Sequence, residues 1–476
     1  MKTAILWYRN DLRLHDHEAL TQALAKADEV LPVYCIDPRL FGKTEGGLPK
    51  TGAFRAQFLL QSLENLRKRL QSKGSNLLIL TGKPEDELPA LAHQVGVSWI
   101  FAHQEATDEE IRVENGVERA LFRSGITLEL IWGSTLYHKD DLPMPLQSLP
   151  DMFTQFRKQV EKFVEIRPTF PTPDHIPTAA ITSWGKIPQL TELGLTKPTT
   201  DPRGVMTFEG GEEAGIERLQ TYFWENNALK EYKETRNGLL GADYSSKFSA
   251  WLALGCLSPR YIYEQVKKYE DLRVANDSTY WLIFELIWRD YFRFVALKFG
   301  NSLFHPGGIK GERHRGKLDR DLFEKWKQGL TGVPFVDANM RELLLTGFMS
   351  NRGRQNVASY LVKDLGLDWR LGAEWFESQL LDYDPCSNWG NWNYVAGVGN
   401  DPRENRYFHV VSQSRRYDVK GTYLRTWLPE LKDLPTEIIH EPWGADPNQL
   451  KKKGVVLGLS YPKPLISGLR TSPKNM

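Results

Sequence analysis

Short apolar runs alternate with longer amphipathic segments over the first 133 residues. The apolar runs are AILWY, VLPVYCI, NLLILTG, WIFAH and TLELIWG, and segments of helical period, such as 54–70 and 108–123, lie between them. Buried strands that alternate with helices are typical of a doubly wound parallel sheet. We therefore predict an α/β domain over residues 1–133.

The predicted strands end in polar residues, among them Arg9, Asp37 and Glu105. Ligands of doubly wound sheets bind beyond the carboxyl ends of the strands. This part of the chain has neither a GxGxxG motif nor a phosphate-binding P-loop. It therefore lacks the fingerprint of an ordinary dinucleotide- or nucleotide-binding domain.

The pattern changes twice along the rest of the chain. Residues 134–206 are rich in Pro, Thr and Asp with weak periodicity, which predicts a long connector between domains. Helical periodicity then dominates residues 207–476, so we predict a nearly all-α second domain whose end, after residue 454, is loosely held. The helical patterns cover 212–234, 249–270, 277–299, 337–345, 354–365 and 373–381.

Composition sets modest limits on function. The 61 Lys and Arg nearly cancel the 60 Asp and Glu, so the net charge of +1 neither indicates nor excludes a nucleic-acid partner. The three cysteines are widely spaced without a metal-ligand pattern, which fits a reducing compartment. No apolar stretch approaches the roughly 18 residues of a membrane span. We expect a soluble, cytoplasmic, monomeric protein with no bound metal.

One loop carries the chemistry of anion binding. In GADYSSKFSAWLALGCLSPR, residues 241–260, the side chains of Ser245, Ser246, Lys247 and Ser249 stand where a loop enters an apolar helix. Hydroxyls, a lysine and the free N–H groups of a helix start all favour anionic oxygens, as in a pyrophosphate. Such residues also commonly do no more than cap a helix, so this pattern alone leaves both interpretations open.

A second segment, WLIFELIWRDYF at 281–292, is apolar almost all round and predicts a buried helix. Trp281, Glu285 and Trp288 recur on one face of it, so a carboxylate stands among aromatic rings. A buried carboxylate is costly unless it is paired. Either Glu285 pairs with a nearby arginine, such as Arg289 or Arg293, or it serves a ligand.

A third segment, LLDYDPCSNWGNWNY at 380–394, has two acids two residues apart but no further ligand at metal spacing. Together the three segments resemble the photolyase/cryptochrome flavoproteins, and the resemblance extends over nearly the full chain. Gln355 and Tyr394 stand where bacterial photolyases carry Met and Trp. These two residues, with FEGGE and YKETRNGLLGADYSSKFS, are typical of the cryptochrome DASH subfamily.

The resemblance implies a photolyase-like fold, an FAD in the helical domain and 5,10-methenyltetrahydrofolate as an antenna at Glu105. The implied FAD-binding residues are Tyr232, Ser245, Ser246, Lys247, Phe248, Ser249, Leu282, Glu285, Arg289, Asn351, Arg354, Asp382, Asp384 and Asn388. The implied DNA-binding residues are Arg236, Trp288, Asn351, Arg352, Gln355 and Tyr394.

The resemblance also assigns roles. Glu285 is expected to hydrogen-bond the bases of a flipped pyrimidine dimer, and Trp288 is expected to stack on it. Asn388 is expected opposite flavin N5, where a carboxamide favours fully reduced flavin. Asp382 is expected to pair with Arg354, and Asp384 is expected to face the pyrimidine edge and the ribityl chain of the flavin.

The family feeds electrons to its flavin through three tryptophans, and this chain departs from that pattern. Trp392 and Trp369 match the inner and middle members, but the outer position falls on Gly316, in a segment without aromatic residues. The resemblance therefore leaves the outer end of the relay open. Trp326 is the first candidate for a substitute.

The leading interpretation is a blue-light-driven lyase that repairs cyclobutane pyrimidine dimers, preferably in single-stranded DNA. A stacked base is worth about 1–3 kcal/mol, so a lesion pocket with fewer aromatic walls disfavours flipping from a duplex. The alternative is a photoreceptor or regulatory nucleic-acid-binding flavoprotein. A third possibility, a pterin- or nucleotide-processing enzyme, needs a catalytic cluster in the first domain that the sequence does not show.

Overall fold

The computed structural model describes residues 2–312, 316–401 and 406–466. Its N-terminal part contains a parallel five-stranded sheet in the order β3-β2-β1-β4-β5. The chain starts in the centre of the sheet and winds outward on both sides, which confirms the predicted doubly wound class. The strands are β1 Thr3–Tyr8, β2 Glu29–Ile36, β3 Leu78–Thr81, β4 Trp99–His103 and β5 Thr127–Ile131.

The central strand is buried on both faces, which explains its unbroken apolar run. Successive side chains of β1 enter two different clusters: Leu6 joins the large core that continues into the helical part, and Trp7 joins a smaller one. The smaller cluster contains Leu88 and Val117, from helices on the outer face of the sheet. The register pairs Ala4 with Val30 in β2.

Helices dominate the remainder of the described chain. The α-helices are α1 Glu18–Lys26, α2 Ala53–Ser72, α3 Pro84–Val95, α4 Asp108–Leu121, α5 Phe153–Phe163, α6 Glu212–Gln220, α7 Tyr232–Thr235, α8 Ser249–Ala253, α9 Pro259–Leu272, α10 Asp277–Phe299, α11 Arg320–Lys327, α12 Pro334–Thr346, α13 Asn351–Ser359, α14 Trp369–Gln379, α15 Pro385–Ala396, α16 Val410–Tyr417, α17 Thr422–Trp427, α18 Thr436–Ile439 and α19 Pro447–Lys452. This confirms the predicted helical second half.

Two long helices predicted from periodicity are broken in the structure. The pattern 249–270 splits into α8 and α9, because Gly255 has a left-handed φ of 64° and Ser258 begins a new helix by capping it. Within the pattern 212–234, the chain leaves α-helical geometry after Gln220, and Asn227 adopts a left-handed φ of 51°. In both cases local backbone geometry interrupts a continuous apolar period.

The structure also corrects two expectations about poorly patterned segments. The predicted connector contains α5, whose Phe156 and Val160 are buried against the core. The expected loose end is held at least to residue 466, because the buried Tyr461 hydroxyl donates to Asp337 at 2.6 Å. Buried anchor residues therefore order both segments.

Buried polar contacts join the sheet to the helices. Asp16, before α1, pairs with Arg260 of α9 at 2.6 Å, and both side chains are at most 5% exposed. Asp290 of α10 accepts the backbone N–H groups of Leu136 at 3.0 Å and Tyr137 at 2.8 Å. These contacts fix α10 against the segment that follows β5.

None of the helices in residues 2–312, 316–401 and 406–466 combines the length and hydropathy that crossing a bilayer requires.

Candidate cofactor and nucleic-acid site

A cavity of about 320 Å³ opens among the helices of the second half of the chain. All fourteen residues implied for FAD binding line it, although they come from separate elements. They are Tyr232, Ser245, Ser246, Lys247, Phe248, Ser249, Leu282, Glu285, Arg289, Asn351, Arg354, Asp382, Asp384 and Asn388. Arg236 and Gln355 line it as well, whereas Arg352, Trp288, Tyr394, Trp369 and Glu105 are not among its lining residues.

The serine-rich loop forms one wall of the cavity. Lys247 adopts a left-handed φ of 63°, and its side chain is buried with Nζ donating to Ser245 Oγ at 2.9 Å. Burial lowers the pKa of Lys247 well below its ordinary value. The helix that follows, α8, has only five residues, so its dipole adds little to anion binding here.

Arg218 of α6 holds this loop from behind. Its guanidinium donates to the carbonyl oxygens of Ala242, Ser245 and Ser246 at 3.0–3.1 Å and pairs with Asp243 at 2.9 Å. Because the carbonyl groups are engaged on that side, Arg218 fixes the course of the loop along the cavity. The sequence does not predict this role, since nothing in the local pattern of α6 connects Arg218 with the loop.

Arg289 of α10 is a second buried cation on the cavity wall. Among the residues that the structure describes, it donates only to the backbone oxygens of Ser134 and Leu252. Burial and the like charge of Arg293 lower the pKa of Arg289 to about 10, so it stays charged at neutral pH. Within the described residues it forms no ion pair with a carboxylate.

The acids of the cavity are already paired. Arg354 pairs with Asp382 at 2.8 Å, which confirms the predicted ion pair. Asp384 pairs with Arg293, and that contact, with nearby cations, lowers the pKa of the Asp384 carboxyl against the effect of burial.

Arg289 therefore leaves an excess of positive charge on the cavity wall, and an anion bound beside the buried Lys247 would favour the protonated form of its amine, whose pKa burial lowers. A diphosphate would supply the missing anions, so the residues present fit an FAD.

Asn388 and Asp384 stand at the start of α15. The Asp384 side chain caps the helix by accepting from the Ser387 N–H at 2.7 Å. Asn388 is 8% exposed, and its Nδ2 donates to the Ala373 carbonyl oxygen at 3.0 Å. That bond fixes the orientation of a carboxamide on the cavity wall, beside the position where an isoalloxazine ring is proposed.

Glu285 pairs with Arg236 rather than with the arginines expected from the sequence. The Arg236 Nη1 contacts Glu285 Oε1, whereas Arg293 is committed to Asp384. Burial raises the pKa of the Glu285 carboxyl, and Arg236 offsets part of that rise. Arg236 lies in the turn after α7, so the pair joins two elements separated by 49 positions. Both residues line the cavity, and their side chains are 20% and 29% exposed, so the pair lies where the cavity meets solvent, at its mouth.

The aromatic residues expected at the lesion lie beside the cavity. Trp288 stacks on Phe153 of α5 with ring centres 3.6 Å apart, and its edge faces Tyr394 at 6.3 Å. Tyr394 accepts from Arg406 at 2.9 Å through its hydroxyl. The face of Trp288 that Phe153 covers is thus unavailable, and stacking on a base stays a prediction for the other face.

Glu105 lies between the sheet and the helical part of the chain. It is 7% exposed and accepts from Asn10 Nδ2 at 2.9 Å. Its second oxygen is 4.0 Å from Arg293, which also holds Asp384. Arg293 therefore links the predicted antenna residue to the cavity wall, and the ligand role of Glu105 stays a prediction.

The tryptophans of the predicted relay are buried. Trp392 lines the cavity, and a Cβ at Gly372 would lie 2.1 Å from its ring, so a glycine is required where the ring packs on α14. Trp326 is fully buried with its ring centre 6.4 Å from that of Trp392. Trp369 is also fully buried, and its ring contacts Trp389 at 5.6 Å. Trp326 is thus a direct neighbour of the innermost tryptophan.

One further group of buried side chains was not expected. Asp11, His17 and His103 bring ligand-type atoms within 4.8 Å of one another beneath the sheet. Asp11 is 2.9 Å from His17 Nε2 and 3.3 Å from His103 Nδ1, and the two imidazole rings stack at 4.6 Å. The two imidazoles lower the pKa of Asp11 against the effect of its burial. These contacts describe a compact ionic network of the core.

Comparisons with known proteins agree with this geometry. A family model described as DNA photolyase matches residues 4–174, and one described as the FAD binding domain of DNA photolyase matches residues 281–475. A cryptochrome DASH of Gloeobacter violaceus is 54% identical over 474 residues, which cover 100% of this chain and 95% of that protein.

Two solved structures are similar over almost the whole chain. The crystal structure of a Synechocystis sp. cryptochrome has a TM-score of 0.96 at 55% identity, over 98% of this chain and 97% of that one. A bacterial class III photolyase from Agrobacterium tumefaciens has a TM-score of 0.84 at 28% identity, over 98% and 95%.

The unpaired cation of the loop generates a prediction. Lys247→Met keeps the length of the side chain but removes its charge, so we expect FAD affinity to fall about tenfold or more, as the loss of a charge-assisted hydrogen bond implies. The flavin-free protein should become no less stable, because a buried cation without a carboxylate is costly. FAD titration and thermal unfolding measure the two effects. Lys268→Met, at an exposed position on α9, is the control, and equal FAD affinity of the two variants would contradict the prediction.

The position of Trp326 generates a second prediction. Phenylalanine is a much poorer electron donor than tryptophan, so Trp326→Phe should slow the light-driven reduction of bound FAD by an external thiol several-fold. Trp427→Phe replaces another buried tryptophan and should leave the rate unchanged. Rapid reduction that survives Trp326→Phe but is lost in Trp369→Phe would show that electrons leave by another route.

Proposed function

The chain belongs to the photolyase/cryptochrome family, in its cryptochrome DASH branch, and we propose that it is a light-driven enzyme that repairs cyclobutane pyrimidine dimers in single-stranded DNA. Membership of the family supports an FAD-binding protein that interacts with DNA. The lyase activity, the single-strand preference and the antenna are the further steps of the proposal.

One observation carries the proposal: Glu285 and Asn388 line the same cavity, from α10 and α15. Bound, reduced FAD that has absorbed blue light would supply the electron that opens the cyclobutane ring, and this electron would return after the ring has split. The residues of the chain supply no general acid and no nucleophile. Their task is to bind, to orient and to exclude water.

The cavity residues divide this task between them. Lys247 and Arg289 would hold the diphosphate, and the Arg354–Asp382 and Arg293–Asp384 pairs keep the remaining wall neutral. The Asn388 amide would donate to the flavin ring edge. A carboxylate at this position would place a negative charge beside the anionic reduced ring. The uncharged amide adds no such charge, so it favours fully reduced flavin more than a carboxylate would.

Glu285 would hold the dimer at the cavity mouth. Its carboxylate accepts from Arg236, and it would accept instead from the N–H groups of the two pyrimidine bases. The Glu285 side chain is 29% exposed, so its partial burial limits the competition of water for the acceptor and strengthens such bonds. An extruded dimer could then lie against the proposed flavin position.

The single-strand preference rests on what surrounds this mouth. Gln355 lines the cavity where an apolar side chain would pack on a base, and Arg352 Nη1 donates to its Oε1 at 2.9 Å. One face of Trp288 is covered by Phe153. Reduced stacking makes extrusion from a duplex less favourable, whereas a single strand avoids much of that cost.

The decisive experiment is light-dependent repair of a single-stranded oligonucleotide that carries a thymine dimer. We expect the reduced holoenzyme to repair it, and Glu285→Ala to retain FAD while losing lesion affinity about tenfold or more. Glu161→Gln, at an exposed acid on α5, should behave as the wild type. Light-driven flavin reduction without any repair would instead favour a photoreceptor. Loss of folding and flavin together in Glu285→Ala would indicate a structural ion pair.

The antenna is tested at Glu105. We propose that its carboxylate contacts the pterin ring of a methenyltetrahydrofolate, held in place by Asn10. Glu105→Gln should lower folate content at least several-fold while FAD content stays at one per chain, because the change is outside the FAD cavity. Absorption spectra of the denatured protein measure both. Full folate content in the variant would remove the assignment.

A further inference from the structure

A short turn near the end of the described chain exposes aliphatic side chains to water. It spans residues 454–460, directly after α19. Leu459 is 85% exposed and Val456 is 39% exposed. The two stand together, because the Leu459 N–H donates to the Val456 carbonyl oxygen at 3.0 Å. Exposed apolar side chains that are grouped, unlike scattered single ones, are typical of an interaction surface.

The backbone of this turn is held firmly in place. The Tyr461 hydroxyl donates to the buried Asp337 at 2.6 Å and anchors the end of the turn. Within the turn, the Gly458 N–H donates to the Tyr461 carbonyl oxygen at 2.7 Å, and the Val456 N–H donates to Ser460 Oγ at 2.8 Å. A partner that binds here therefore has little ordering cost to overcome.

Positive charge surrounds the turn on both sides. Three lysines precede it and a fourth follows it, namely Lys451, Lys452, Lys453 and Lys463. All four are exposed, and among residues 2–312, 316–401 and 406–466 none of them forms an ion pair. The Lys463 side chain lies against the turn, since a Cβ at Gly458 would be 3.2 Å from its Cε.

Acids close to this segment are engaged elsewhere. Asp446 caps α19 by accepting the Asn448 N–H at 2.9 Å, and Glu430 pairs with Arg341 at 2.7 Å. The net charge of the whole chain is only +1. The lysines are therefore a local concentration of charge rather than a sample of a generally basic surface.

The combination of lysines with exposed aliphatic side chains distinguishes between possible partners. A nucleic-acid strand would engage the lysines but leave Leu459 in water. A second copy of the chain, docked through the same surface, would place lysines opposite lysines. An anionic bilayer offers negatively charged headgroups to the lysines and an apolar interior to the aliphatic side chains.

We propose that the lysine turn, defined as residues 451–460 and Lys463, binds the surface of an anionic membrane. The four lysines contact lipid headgroups, and Val456 and Leu459 enter the boundary between headgroups and acyl chains. This attachment is peripheral and reversible. It is independent of the proposed repair activity, because no residue of the lysine turn lines the cofactor cavity.

The test is co-sedimentation of the holoprotein with vesicles of phosphatidylcholine alone or of equimolar phosphatidylcholine and phosphatidylglycerol. We expect binding to the mixed vesicles only, and we expect added salt to weaken it. One lysine near an anionic surface contributes about fivefold to affinity, so Lys452→Gln should weaken binding by about that factor. Lys452→Arg should not. Leu459→Gln should weaken binding about tenfold or more, because less apolar area leaves water.

Two substitutions outside the lysine turn are matched controls. Leu272→Gln removes an aliphatic side chain that is 64% exposed, and Lys68→Gln removes an exposed lysine of α2. Both should bind vesicles as the wild type does, and every variant should retain its FAD. Equal weakening in the controls, or wild-type affinity in Lys452→Gln or Leu459→Gln, would overturn the proposal.

A fluorescent label tests insertion directly. The three native cysteines are buried, so Leu459→Cys supplies an accessible thiol for an environment-sensitive dye. Its emission should shift to shorter wavelength with mixed vesicles, whereas the same dye on Leu272→Cys should not respond. Vesicle binding without this shift would show that the lysines act alone, against the proposed insertion.

The other two partners are separate outcomes. Binding of a single-stranded oligonucleotide, or dimerisation in solution, is measured for the same proteins. If Lys452→Gln and Leu459→Gln weaken either of these while the wild type does not bind mixed vesicles, the lysine turn serves that partner and the membrane proposal fails.

Discussion

Every buried charge on helix α10 needs a partner, and this requirement organises both halves of the molecule. Four charged side chains follow one another from Glu285 to Arg293, and each meets a different element. Glu285 meets Arg236 at the cavity mouth, and Arg293 meets Asp384 across the wall. Asp290 accepts backbone N–H groups beyond β5. Arg289 reaches only carbonyl oxygens, which makes it the position where a ligand can supply what the protein does not.

Periodicity was sufficient to predict the sheet, its class and the bounds 277–299 of α10, because long buried elements show their period in the chain itself. It failed where a single backbone conformation interrupts an apolar pattern, as at Gly255. It also missed α5, although Phe153, Phe156 and Val160 recur there at helical spacing. The segment around Tyr461 is ordered by a contact to the distant Asp337, which leaves no local signal in the sequence.

The candidate site shows the same division. The resemblance of the motifs predicted that Lys247, Asp382 and Asn388 belong to one cofactor site, and all three line one cavity. Each motif determines its own local geometry, and the fold brings the motifs together. Partners across the fold were harder to predict. The sequence suggested the arginines four and eight residues after Glu285 as its partners, yet the fold supplies Arg236 from the turn after α7. Arg218, which holds the loop from behind, was invisible for the same reason.

A net charge of +1 conceals two regions of excess positive charge that differ in kind. In the cavity, Lys247 and Arg289 are buried, so a diphosphate there acts in a medium of low polarity and is bound strongly. At the mouth, Arg352 is only half-buried and donates to neutral amides, so its attraction for a strand is screened by salt. Under the proposed function, the cofactor stays bound through many turnovers while the substrate leaves after each one, and the difference in burial fits both. Burial, rather than the number of charges, separates the two roles.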